Sequence, residues 1–114
     1  MTLYRKAALV GVAEADEIGI VPNKSALQLH AEAARNALAD AGIDKSEVDA
    51  IFTAGTGVMD TVLVAEYLGI TPRYSDSTQV GGSSFEFHVD HAAAAIAAGI
   101  CNVALVTHGQ TTYS

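Results

Sequence analysis

A layered α/β fold with parallel strands is predicted by three features of the chain. Short apolar runs stand at residues 7–12, 50–54 and 103–107, amphipathic helical repeats lie between them, and a glycine follows each repeat. Nearly continuous apolar runs suit strands buried on both faces. Strands that alternate with helices imply parallel pairing and right-handed crossovers. A polar extended stretch at residues 74–80 supplies one more strand, so the expected order is βαβαβαβ.

The elements follow from local signals. Residues 7–12 form the first apolar run, and a loop carrying Gly19 and Pro22 follows it. Ser25, with Gln28 three residues on, reads as a capping box that starts a helix. Leu27, Ala31, Ala34, Leu38 and Ala41 recur at helical spacing as one stripe, and Gly42 is placed to end the helix in the left-handed region. Residues 44–49 are polar and fit a single helical turn before the strand at residues 50–54. Asp60 can cap a helix over residues 61–67, which Gly69 ends. Pro72 breaks the chain before residues 74–80. Phe85, Val89, Ala92 and Ile96 mark another helix closed by Gly99, and residues 103–107 form the last strand.

Composition narrows the function classes. The chain has 114 residues, the length of one compact domain, and 50% of them are apolar. Only 17% are charged, below the usual quarter, which points to surface covered by more chain or by a subunit. A net charge of −7 without a basic stripe argues against a nucleic-acid partner, although a small local site can still take an anion. The single cysteine, Cys101, allows no intrachain disulfide and fits a reducing, cytoplasmic setting. Residues 1–6 lack the following apolar run of a signal peptide. The longest apolar run, residues 92–98, is too short to span a bilayer.

The most informative segment is Thr78-Gln79-Val80-Gly81-Gly82-Ser83-Ser84-Phe85. It is an extended stretch, a glycine hinge and the start of a helix. The first amides of a helix have no internal acceptors and favour negative charge there. Two roles are open to Ser83 and Ser84: a helix cap, or a nucleophile exposed at an electrostatically favourable turn.

This run resembles the nucleophile turn of the thiolases. Gly82-Ser83-Ser84 is similar to the glycine, small residue and cysteine of the sterol-carrier-type thiolases, with Ser84 in the cysteine's place. Residues 7–12 resemble that family's first strand, residues 25–42 its first helix, and the D-x-x-x-V-D run from Asp44 to Asp49 its approach to the second strand. Residues 101–107 resemble its fourth strand. The resemblance implies a thiolase-like α/β/α layering and chemistry on coenzyme A thioesters as substrates, with no bound cofactor. Family members are several times longer, and their second half supplies a catalytic histidine, a second cysteine and much of the coenzyme A pocket. Residues 1–114 are therefore expected to be an incomplete N-terminal domain, inactive on their own.

Three functions follow as expectations. The first is acyl transfer, or its reverse, on acyl-coenzyme A, with Ser84 as a slow acyl acceptor. Serine has a far higher pKa than cysteine and needs a base. The second is retro-aldol cleavage of β-hydroxyacyl-coenzyme A, as in steroid side-chain breakdown, with a small partner subunit of a different fold; that reaction needs no thioester to the enzyme. The third is a non-catalytic lipid or acyl-coenzyme A binder. The resemblance also implies a homodimer that pairs along residues 74–77, an edge opening with Tyr74 and closing with Ser77, where pairing would hide an exposed strand.

Other residues carry weaker signals. His108 follows a strand, where α/β folds place functional groups, and is a candidate base for Ser84. His88 and His91 lie three apart on one helix without a third convergent ligand, so no metal site is expected. Gly55-Thr56-Gly57 lacks the later glycine and lysine of a phosphate loop and reads as a tight turn. Cys101, before an apolar strand, reads as an inert buried thiol.

Overall fold

The computed structural model describes residues 7–17, 23–54, 60–77 and 84–108. In chain order the elements are α1 (Ala26–Ala41), a single 3-10 turn (Lys45–Glu47), β1 (Ala50–Ala54), α2 (Asp60–Leu68), β2 (Tyr74–Asp76), α3 (Ser84–Ala97) and β3 (Ala104–His108). The described strands form a parallel sheet in the order β2-β1-β3. The α/β class and the parallel pairing are as expected.

The caps of α1 behave as the sequence implies, whereas Asp60, expected to cap α2, is its first helical residue. Ser25 accepts from the Gln28 amide at 3.1 Å, and Gln28 returns a bond to the Ser25 amide at 2.7 Å. Gly42, Gly69 and Gly99 have φ of 70°, 72° and 77° after α1, α2 and α3, the left-handed conformation that a side chain disfavours. Asp44 and Glu47 form a second capping box around the 3-10 turn.

The central strand β1 is buried along its whole length. On one side of the sheet Ala34, Ile51, Ala65, Ile70 and Leu105 pack together. On the other, Ala50, Phe52, Ala92, Ala95 and Cys101 do. The alternation of Ile51 and Phe52 between these clusters is the period of two that a strand imposes. The start of β3 is anchored by Asp49, whose carboxylate accepts from the amides of Asn102 and Val103 at 2.9–3.0 Å.

Residues 7–12 correct the expectation of a strand buried on both faces. They form no strand, and Leu9, Val10 and Val12 are 79%, 61% and 68% exposed. The end of this segment and the residues after it are held by α1: the Val12 amide donates to Asp40, and Asn36 donates to the Glu14 carbonyl. A β-carbon on Gly11 would lie 2.5 Å from the Ala37 carbonyl oxygen, so only glycine permits this approach to α1. The helical stripes are also rotated from expectation. α1 buries His30 beside Ala34, and α3 buries Ser84, His88, Ala92 and Ala95 while Val89 is exposed. The strand expected over residues 74–80 is described only for Tyr74–Asp76; residues 78–80 lie outside the described residues.

Candidate active site

Parallel α/β sheets place chemistry beyond the carboxyl ends of their strands. Here that end carries Ala54 on β1 and His108 on β3, which are partners in register. The first turn of α3 meets it from one side, because the Phe85 ring lies 4.1 Å from the His108 ring. His30, in the first half of α1, meets it from the other side, with its ring 6.4 Å from that of His108 in an edge arrangement.

His108 is exposed at the strand end. Desolvation holds its pKa below the ordinary 6.5, partly offset by the hydrogen bond its ring donates to the Ala54 carbonyl. One ring nitrogen is thus committed as a donor. In a neutral imidazole that donates from one nitrogen, the other is an acceptor.

Ser84 is the first residue of α3 and is fully buried. It begins the row that α3 turns toward the sheet. Ser84 is thus a buried helical residue rather than an exposed one. Ser83, Gly81, Gly82 and the Gly55-Thr56-Gly57 run lie outside the described residues. The structure brings His108 and the residue after Ser84 into ring contact, so the two candidates share one end of the sheet.

His88 and His91 do not converge. His88 is buried, with ring neighbours Phe85 at 5.9 Å and Phe52 at 6.3 Å. His91 donates from Nδ1 to the Asp76 carboxylate at 2.5 Å and so ties α3 to β2. Among the described residues, no group of three or more His, Cys, Asp or Glu is placed to hold a metal. Burial pushes the Cys101 thiol above its ordinary pKa, as expected of an inert core cysteine. No described helix is long and apolar enough to cross a membrane.

The sequence reading missed His30. Its Nδ1 lies 2.7 Å from the Thr107 hydroxyl and 3.1 Å from that of Thr53, and Thr107 donates to Thr53 at 2.8 Å. All three residues are buried. The available signal was a histidine four residues before Ala34 on the helix stripe, together with a threonine near the end of each of two apolar strands.

Comparison with known proteins places the fold. An Ltp2-ChsH2(DUF35) aldolase superimposes with a TM-score of 0.75 and 31% identity over 94% of this chain and 30% of that one. The fold is that of the thiolase superfamily. A 17-hydroxy-3-oxo-4-pregnene-20-carboxyl-CoA lyase from Mycobacterium tuberculosis is 34% identical over 102 residues, which are 89% of this chain and 26% of that protein. A steroid side-chain-cleaving aldolase from Thermomonospora curvata is 35% identical over 98 residues, 85% of this chain and 25% of that protein. The thiolase-like chain thus spans about a quarter of the length of these curated relatives. No family model matches it.

Proposed function

We propose that the protein containing this thiolase-like chain is a retro-aldolase that cleaves β-hydroxyacyl-coenzyme A thioesters of the steroid side-chain class. The observation that supports this reading is that His108, whose pKa desolvation lowers, stands at the carboxyl end of the sheet against the first turn of α3, which opens with Ser84, the residue that the resemblance puts in the place of the thiolases' acyl-accepting cysteine. The names of the two curated relatives favour carbon–carbon cleavage over acyl transfer.

In this reading His108 removes the proton of the β-hydroxyl. The oxygen's electrons form a carbonyl as the bond between the α and β carbons breaks. The bonding pair moves into the thioester as an enolate, whose oxygen is stabilised by amides at the start of α3. A proton then returns to the α carbon, giving a shortened acyl-coenzyme A and a ketone or aldehyde. No bond to the enzyme forms, so a cysteine is unnecessary. Coenzyme A enters as part of the substrate.

The same reading includes a small partner subunit of a different fold, as the name of the similar aldolase complex suggests, and a cytoplasmic setting. It also includes a homodimer along β2. Support for the dimer is that, among the described residues, β2 is an edge strand whose Tyr74 and Ser75 are exposed.

The test is to incubate the full-length protein, with its partner, with a β-hydroxyacyl-coenzyme A and measure both products. Release of a ketone or aldehyde with the shortened thioester supports the reading. Acyl exchange without carbonyl release would return acyl transfer to first place, and ligand affinity without turnover would make the protein a binder. Because His108 must be neutral, kcat/KM is expected to fall on an acid limb whose midpoint lies below pH 6.5.

A further inference from the structure

We propose that His30 is a positioning residue for His108, acting through the hydroxyls of Thr53 and Thr107 and through the edge of its own ring. The proposal deepens the retro-aldolase reading and, for its effect on turnover, rests on His108 being the base.

His30 occupies a fully buried position on the sheet-facing side of α1, in line with Ala34 one turn later. An apolar residue there would extend the core at no desolvation cost. A buried imidazole is tolerated when its nitrogens are bonded. Its Nδ1 and the two threonine hydroxyls form a closed triangle with sides of 2.7, 3.1 and 2.8 Å. The corners belong to α1, β1 and β3, so this triangle ties together three elements distant in sequence.

Its place in the ladder gives it consequence. Thr53 and Thr107 are partners in register, and the next rung pairs Ala54 with His108. Successive residues of a strand face opposite sides of the sheet. The threonines face α1, and His108 turns toward Phe85 on α3. Fixing the threonine rung therefore fixes the separation of the strands just before the Ala54 carbonyl accepts from the His108 ring. The His30 ring, 6.4 Å from His108, closes the side opposite Phe85. Satisfied buried polar networks hold a single geometry more strictly than apolar packing does, and a base misplaced by about 1 Å can lose about a hundredfold in rate.

The experiment replaces the triangle by apolar groups of similar shape, as His30→Leu with Thr53→Val and Thr107→Val, in the full-length protein with its partner. The variant removes the three groups of the triangle together, and Tm is measured beside the other readouts to show that it folds. Two readouts are taken: kinetics on the β-hydroxyacyl-coenzyme A substrate, and the ring nitrogen signals of His108 by NMR. The expected result is a fall in kcat of about tenfold or more with KM changed by less than about twofold. The His108 signals should pass from a single tautomer bonded to Ala54 to a mixture. If the triple variant does not fold, Thr107→Val and Thr107→Ser give the same test, since serine keeps the hydroxyl and should restore the parent signals. Parent-like His108 signals in a folded variant lacking the triangle would overturn the proposal. Changed signals with unchanged kcat would leave the positioning role standing and instead overturn His108 as the base.

Discussion

Two apolar stretches of similar composition, residues 7–12 and β3, end in different structures. β3 pairs along β1 and buries Leu105 and Thr107. Residues 7–12 lie across a cleft of about 410 Å³ from the start of β3, with Leu9 and Val10 exposed. The polar groups that hold the chain around them also differ. The Asp49 carboxylate gathers the amides leading into β3 and delivers that strand to the edge of β1. The segment after Gly11 has its amides and carbonyls engaged by Asp40, Glu32 and Asn36 of α1.

Substitutions of graded effect sharpen that contrast, each read by urea unfolding of the full-length protein. Phe52→Ala removes a fully buried ring between those of Tyr74 and His88 and is expected to cost about 3–5 kcal/mol. Leu9→Ala, chemically comparable, should change stability by less than about 0.5 kcal/mol; a cost near that of a core residue would mean that residues 7–12 are paired after all. Asp49→Ala strands the two amides before β3 and should cost about 2 kcal/mol. Gly11→Ala forces a β-carbon against Ala37 and should cost about 1 kcal/mol by lifting the segment from α1; no change would show that the segment does not rest there.

The smallest effect belongs to Arg35→Ala. Its pair with Asp16 is well exposed on both sides, so Tm should hardly move. The Asp16 carboxyl should remain below its ordinary 3.8 even so, because the Asn36 hydrogen bond is the larger cause of its lowering and Arg35 the next. Acid titration reaches the other stretch. The folded pKa of His108 is lowered below 6.5, so the unfolded chain takes up the proton first. The stability His108 contributes is present above pH 6.5 and is lost as pH falls through its lowered folded pKa. His108→Gln should flatten that part of the profile.

The elements most legible in the sequence were those defined by local chemistry. Ser25, Gln28 and Gly42 set both ends of α1, and the run at residues 50–54 coincides with β1. β3 is displaced by one residue, from 103–107 to Ala104–His108, which puts His108 on the ladder rather than in the tail. Periodicity placed α3 but misphased its face, because Ala92–Ala95 is apolar all round and Val89 carried too much weight. Residues 7–12 form no strand although they are as apolar as β3, so hydropathy alone does not decide ladder pairing. The His30 triangle was hidden for a related reason: its members are separated by 23 to 77 positions, and only the sheet brings them together.

The most direct measurement follows Ser84→Ala in the full-length protein with its partner and a β-hydroxyacyl-coenzyme A, recording carbonyl release and the intact mass of the enzyme during turnover. Retro-aldol cleavage without an acyl-enzyme requires the variant to release the ketone or aldehyde at a rate within about tenfold of the parent, with neither protein gaining mass. An acyl adduct on the parent, lost together with activity in Ser84→Ala, would contradict it and make Ser84 a nucleophile.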